Sequence, residues 1–363
     1  MPSDTTAPRT ALVVGATGIT GRALTRRLVA SGWEVVGLSR RAVSDIAGVR
    51  SVTADLQDRD SLAAALQGEH PTHVFFTAWA RQETEAQNIA VNAGMVRDLL
   101  AALRPAASVQ HVALVTGLKH YLGPFEAYAA GDVPDTPFHE DEPRLSYPNF
   151  YYAQEDAVLA AAQRDGFTWS VHRPHTVIGD AVGNAMNMAQ TLAAQAAICR
   201  AEGRPFVFPG SQVQWDGLTD MTDAGLLAEQ LEWAATTPEA ADQAYNVANG
   251  DVFRWRWMWP RLADALGVEP EGFDEKPRPL EEQMIGAEDT WRRIAEEHGL
   301  REPDLHRVAS WWHTDGDLGR EIECLTDLRR SREAGFTGYR STLAAFLDAF
   351  EVLRRERVVP PVG

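Results

Sequence analysis

The chain has 363 residues, long for one domain and short for three, and 45% of them are hydrophobic, enough for a large buried core. A formal net charge of −17 argues against nucleic acid and anionic membrane as partners, because both are bound through basic surface. Two cysteines, without a CxxC or a Cys/His cluster, give no metal site and fit a reducing cytoplasm.

The opening MPSDTTAPRT lacks a basic-then-apolar leader pattern. No uninterrupted apolar run reaches the ~18 residues of a membrane span, so a cytoplasmic protein is expected. From there, short apolar runs alternate with helical patterns. ALVVGA reads as a buried strand and GRALTRRLVASG as an amphipathic helix ending at Gly32. EVVGLS and VRSVTAD follow as strands, SLAAALQG as a helix and HVFFTA as a strand. A long helix over ETEAQNIAVNAGMVRDLLAALR leads into the strand VQHVALVTG. FTWSVHRP is a further strand, placed after a helix that begins near Tyr151. Apolar strands alternating with helices predict an α/β fold, a Rossmann-type doubly wound parallel sheet covered on both faces. The dinucleotide-binding domain is expected over residues 8–210. Residues 211–363 are expected to form a smaller, mostly helical, substrate-binding and capping region that does not fold independently.

Residues 120–149 follow neither period and contain Gly123, Pro124, Pro134, Pro137, Pro143 and Pro148. A loop so long inside a domain is usually functional or disordered, and its aromatics argue for an ordered active-site loop. Eight of the eleven tryptophans fall after position 210, at Trp215, Trp233, Trp255, Trp257, Trp259, Trp291, Trp311 and Trp312. They fit either core packing or the lining of an apolar pocket.

VVGATGITG puts Gly15, Gly18 and Gly21 between a strand and a helix. Gly15 permits the tight turn, Gly18 lets the backbone approach a pyrophosphate, and Gly21 lets helix and strand pack closely. An NAD enzyme carries a carboxylate at the end of its second strand to hold the ribose 2′-hydroxyl. This chain has Ser39, Arg40 and Arg41 there, two guanidiniums that suit the 2′-phosphate of NADP(H). Asp55 and Leu56 fit the adenine edge, and Thr77, Ala78 and Trp79 end the strand where the cofactor's middle would pass.

The reacting groups should lie at the same sheet edge. VTG runs directly into LKHYLGPF, so Lys119 emerges there, and Tyr151 opens the next helix. The lysine expected four residues after a reductase tyrosine is absent, since Tyr151 is followed at that spacing by Glu155 and Tyr152 by Asp156. Lys119 can replace it from the neighbouring strand. A tyrosine of ordinary pKa about 10 beside an ammonium makes an oxyanion hole for charge developing on a substrate oxygen. The bland readings are a surface lysine after a strand and a packed loop tyrosine.

The stretches GATGITG, SRR, TGLKHYLGPF, PRLSYPNFYYAQED, TWSVHRPHTVIGDAVGNAMN, FPGS and YNVANGDVFRW resemble the progesterone 5β-reductase/iridoid synthase-like family, atypical extended short-chain dehydrogenases. The similarity runs over about residues 11–260. It implies NADPH-dependent 1,4-reduction of an enone or enal: hydride goes to the β-carbon, and Tyr151 and Lys119 hold the enolate oxygen. It also implies cofactor contacts from Thr17, Gly18, Ile19, Arg40, Arg41, Asp55, Leu56, Thr77, Tyr151, Ile178, Asn184, Ala185 and Met186. Trp79 and Phe125 match aromatics near the substrate, and relatives suggest a homodimer. GDAVGNAMN departs from the usual GFSPxSMMN. His313 stands in ASWWHTD where relatives often carry a pocket phenylalanine, which suits a more polar substrate unless the residue is simply half-exposed. Two other readings remain: carbonyl reduction or epimerisation, as in other extended relatives, and a non-catalytic NADP(H)-sensing protein.

Overall fold

The structure is a computed structural model describing residues 9–123, 135–181 and 186–362. The chain divides into two compact units, the first containing residues up to Pro174 together with Leu227–Val247 and Asp327–Gly338. Its centre is a seven-stranded sheet. In chain order the strands are β1 (Thr10–Val14), β2 (Glu34–Ser39), β3 (Val49–Thr53), β4 (His73–Phe76), β5 (His111–Val115), β6 (Thr168–Pro174) and, far downstream, a strand over Gln243–Val247. They lie in the spatial order β3-β2-β1-β4-β5-β6 followed by Gln243–Val247, every pair parallel. Connections therefore reverse direction between β1 and β4, where a crevice opens at the C-terminal ends of the strands.

Strands β1, β2, β4 and β5 match the sequence pattern because a parallel sheet covered on both faces needs unbroken apolar runs. Leu12, Val14, Val36, Leu38, Val74, Phe76, Val112 and Leu114 are all buried. Helix α3 (Glu85–Leu103; preceded by α1, Ile19–Ala30, and α2, Arg59–Ala65) adds Met95, Val96, Leu99, Leu100 and Leu103, one apolar stripe at helical spacing. A capping box from Thr84 and Gln87 starts it. The last strand arises in a stretch expected to be mostly helical. It has five residues and pairs with β6 alone, so its signal is tertiary rather than local.

The second unit contains His175–Leu226, Ala248–Thr326 and Tyr339–Gly363. It is mainly helical, with two short parallel pairs, Val177–Ile178 with Thr222–Asp223 and Phe206–Val207 with Pro270–Glu271. Met188 to Cys199 are all buried, so the helix Met188–Glu202 runs through the middle of this unit. Trp255, Trp259 and Trp291 are completely buried beside it, and Trp259 stacks on Phe206 at 4.0 Å. Those three tryptophans are core. Among the described residues no helix is long and apolar enough to cross a membrane.

The first unit buries three imidazoles on neighbouring strands. His73 lies beside His111 in register, and Ser170 Oγ lies 3.0 Å from both His111 Nε2 and His172 Nε2. Gln230 Oε1 lies 2.8 Å from His172 Nδ1. Burial holds His73 and His172 down to about 4 and His111 to about 3. Below the ordinary imidazole value of 6.5 the unfolded chain takes up protons that the folded chain refuses, so stability falls with falling pH. Denaturant unfolding should lose about 2 kcal/mol per histidine between about pH 6.5 and pH 5, and His111→Gln should flatten that slope by about a third. Equal stability at both pH values would refute the account.

Candidate active site

The loop after β1 is built for a close approach of backbone to backbone. Gly15 has a φ of 85°, and a Cβ on it would lie 3.1 Å from Ala78 Cβ and from Thr77 Oγ1. A Cβ on Gly21 would lie 2.2 Å from the Gly15 carbonyl oxygen, so α1 can pack against β1 only with glycine there. Gly18 donates its N–H to the Gly15 carbonyl at 2.9 Å and caps α1, whose first turn carries no carboxylate. Thr77 ties the end of β4 to Val14 through its hydroxyl at 2.8 Å. This glycine cradle, opening on a helix N-terminus where the strand order reverses, fits a dinucleotide pyrophosphate. Arg40 and Arg41 lie exposed at the end of β2, in a turn closed by Ser39 Oγ donating to the Arg41 carbonyl at 2.5 Å. Asp55 caps its own turn by accepting from the Gln57 N–H at 3.0 Å, with Leu56 half-buried beside it.

Two elements carry the second half of the site. The exit of β5 turns at once into the short helix α4 (Lys119–Leu122), and α5 (Phe150–Asp165) begins with Asn149 as its cap. Asn149 Oδ1 accepts from the Tyr151 N–H at 2.9 Å, and its Nδ2 donates to the Lys119 carbonyl at 2.6 Å. Glu85 accepts from the Phe150 N–H at 2.7 Å, which satisfies another open donor of that helix end. A Cβ built on Gly117 would lie 3.3 Å from the Tyr151 hydroxyl, so the phenol lies over the end of β5, close to where Lys119 leaves it. The Lys119 ammonium sits 5.2 Å from the centre of the Phe150 ring, which stacks on Trp79 at 5.9 Å. Trp79 keeps 41% of its surface exposed, an uncovered aromatic at this edge.

The two adjacent tyrosines separate cleanly. Tyr152 is buried, donates to the His120 carbonyl and accepts from the Leu145 N–H at 3.1 Å, so its hydroxyl is used up in holding the loop. Tyr151 is half-buried at the sheet edge. The place of the missing lysine is taken by a charge cluster. Glu155 is 4% exposed and accepts from Arg144 at 3.0 Å and from Arg173 at 3.5 Å, with His120 Nδ1 at 3.5 Å. Burial would raise its carboxyl, but His120, Arg173 and Arg144 outweigh that and bring it to about 2. Arg173 also donates to the Tyr121 hydroxyl at 3.3 Å, which donates to Asn246 at 2.6 Å. Burial pushes Tyr121 up to about 12, so it acts here as a neutral link rather than an acid.

Other sequence candidates fall elsewhere. Phe125, Asn184 and Ala185 lie outside the described residues. Ile178 and Met186 belong to the second unit, buried and half-buried respectively. His313 is half-buried in that unit, on the helix Trp311–Leu318 and edge-on to Trp312 at 5.6 Å. Asn149, Phe150 and the Arg173–Glu155–Arg144 cluster were not singled out from sequence. Asn149 had a readable signal, a capping residue placed just before a helix. Among the described residues no cluster of His, Cys, Asp and Glu could hold a metal ion.

Residues 11–248 match the NAD dependent epimerase/dehydratase family. The chain is 39% identical to the (S)-8-oxocitronellyl enol synthase CYC2 of Camptotheca acuminata, over 96% of this chain and 93% of that protein. It is also 39% identical to the 3-oxo-Delta(4,5)-steroid 5-beta-reductase of Arabidopsis thaliana, with the same coverage. Among solved structures, the UDP-glucose 4-epimerase of Thermotoga maritima matches with a TM-score of 0.68 over 95% of this chain and 99% of that one. At 14% identity this is a likeness of fold.

The charge cluster makes a counter-intuitive prediction. Putting a lysine at the missing position, Glu155→Lys, sets a third cation against Arg173 and Arg144 and should cost more than about 3 kcal/mol. Thermal melts should show a collapse of stability, with Glu155→Gln intermediate. A Glu155→Lys protein melting at the parent temperature would refute the cluster's role.

Proposed function

The chain belongs to the NAD dependent epimerase/dehydratase family and, within it, to the progesterone 5β-reductase/iridoid synthase-like enzymes, and from that premise we propose that it is an NADPH-dependent reductase of activated C=C bonds in small enones or enals. The observation that carries this reading is the pairing of a half-buried Tyr151 hydroxyl over the end of β5 with Lys119 on the same exit, while a buried carboxylate fills the usual lysine's place. Of the two relatives, one is named for forming an enol and the other for reducing a 3-oxo-Δ4,5 steroid.

Gly15, Thr17, Gly18, Ile19 and Gly21 would hold the pyrophosphate, with Asp55, Leu56 and Thr77 along the adenine and central parts. Arg40 and Arg41 would clamp a 2′-phosphate, since Ser39 and the two arginines leave no carboxylate at that tip to receive a 2′-hydroxyl. When bound, the reduced dinucleotide supplies a hydride to the substrate's β-carbon. The chain's own task is to accept the charge that this creates. As the C=C electrons move toward the carbonyl, Tyr151 and Lys119 donate hydrogen bonds to the developing enolate oxygen, and protonation at the α-carbon completes the saturated carbonyl compound. The local cations matter in a chain of net charge −17, where the surface would otherwise repel an anionic cofactor. Trp79 offers an exposed apolar face for the substrate.

Tyr151→Phe or Lys119→Met should lower kcat/KM for a small enone at least about tenfold, about 1.4 kcal/mol of transition-state binding. The product should be the saturated ketone; an allylic alcohol would favour carbonyl reduction instead. Replacing Arg40 and Arg41 together by alanine should erase at least about tenfold of the preference for NADPH over NADH, with NADH kinetics little changed. Parent-like turnover in both Tyr151→Phe and Lys119→Met would reject the reading.

A further inference from the structure

The Asn149 side chain joins the two halves of the chemical site. Its oxygen caps α5 at the Tyr151 N–H, and its nitrogen, on the same planar amide, holds the Lys119 carbonyl at 2.6 Å. Thirty positions of sequence separate the two ends of that bridge, and Asn149 is 3% exposed, so water does not compete for it. The Lys119 carbonyl also closes α4 by accepting from the Gly123 N–H at 3.0 Å. The residue after Asn149 supplies the ring on which the ammonium lies, and the one after that supplies the phenol. A single helix turn thus sets the root of the lysine, the surface under its tip and the neighbouring hydroxyl.

We propose that Asn149 is a positioning residue for the reductase reaction: its amide fixes the Lys119 backbone against the first turn of α5, so that ammonium and phenol present one pre-formed site to a substrate oxygen. The proposal rests on the assignment of Lys119 and Tyr151 made above. Lysine has a long flexible stem, and a displacement of about 1 Å in such a donor is enough to lose about a hundredfold in rate. Capping alone does not need asparagine, since serine and aspartate cap as well. Aspartate has no donor for the Lys119 carbonyl, and serine's single oxygen, held at the cap, cannot also span to it.

The test is a double-mutant cycle with Asn149→Ser, which keeps a cap but cannot span to Lys119, and Lys119→Met. Measured are single-turnover hydride transfer to an enone, the NADPH dissociation constant and the melting temperature. Asn149→Ser should slow transfer at least about tenfold while cofactor affinity stays within about twofold, and in the Lys119→Met background it should add less than about a twofold loss. Asn149→Asp, of the same size and capping power, serves as the second variant should the serine protein fold poorly, with the same expected pattern. Equal losses in both backgrounds, or no loss in either, overturn the positioning role while leaving the reductase reading intact. Full activity of Lys119→Met alone overturns the lysine assignment and this proposal with it.

Discussion

A carboxylate withdrawn from water, Glu155, must be neutralised, and the C-terminal edge of the sheet is arranged around that requirement. Arg173 comes from β6, Arg144 from the segment before α5 and His120 from the turn after β5, so three separate pieces of chain converge on one group. An unpaired charge at that depth costs several kcal/mol, which makes the convergence a condition of folding rather than an ornament. Its by-product is the placing of Lys119 and Tyr151 at one sheet edge. The turn that carries His120 also carries Lys119, and the helix that carries Glu155 opens with Tyr151.

This arrangement explains how a short-chain reductase can lack the lysine one turn after its tyrosine. A helix that buries Glu155 toward arginines cannot also present a cation from that position. The ammonium of Lys119 comes from the adjacent strand exit, where Asn149 holds the lysine's backbone carbonyl and the Phe150 ring underlies its tip. Moving the cation also changes what it can do. A lysine beside the ribose orients cofactor, whereas on the proposed reading one at the end of β5 would share a substrate oxygen with the Tyr151 phenol. That geometry suits a charge spread onto an enolate oxygen.

The nucleotide half was largely legible in the sequence because its logic is local. Gly15, Gly18 and Gly21 act within one strand–turn–helix unit, and the contacts their missing Cβ atoms would make lie almost wholly within that unit or at the adjoining β4 end. Strands β1, β2, β4 and β5 were legible for a similar reason, as burial on both faces writes itself as continuous apolar runs. The strand Gln243–Val247 was not, because its partner β6 lies some seventy residues earlier and its length carries no period. The tryptophans could be counted but not sorted. Trp255, Trp259 and Trp291 are core, whereas Trp233 packs in the other unit against Tyr245 and Phe336.

From the sequence alone came the class of fold, the glycine-rich turn, the basic tip after the second strand and the two candidate donors, since each depends on residue types a few positions apart. Only the tertiary structure decided which of two neighbouring tyrosines is spent on holding a loop, what stands in for the absent lysine, and what bridges Lys119 to α5. Those are pairings across tens of residues, selected by which buried polar groups find partners once the sheet has closed, and no local pattern encodes them.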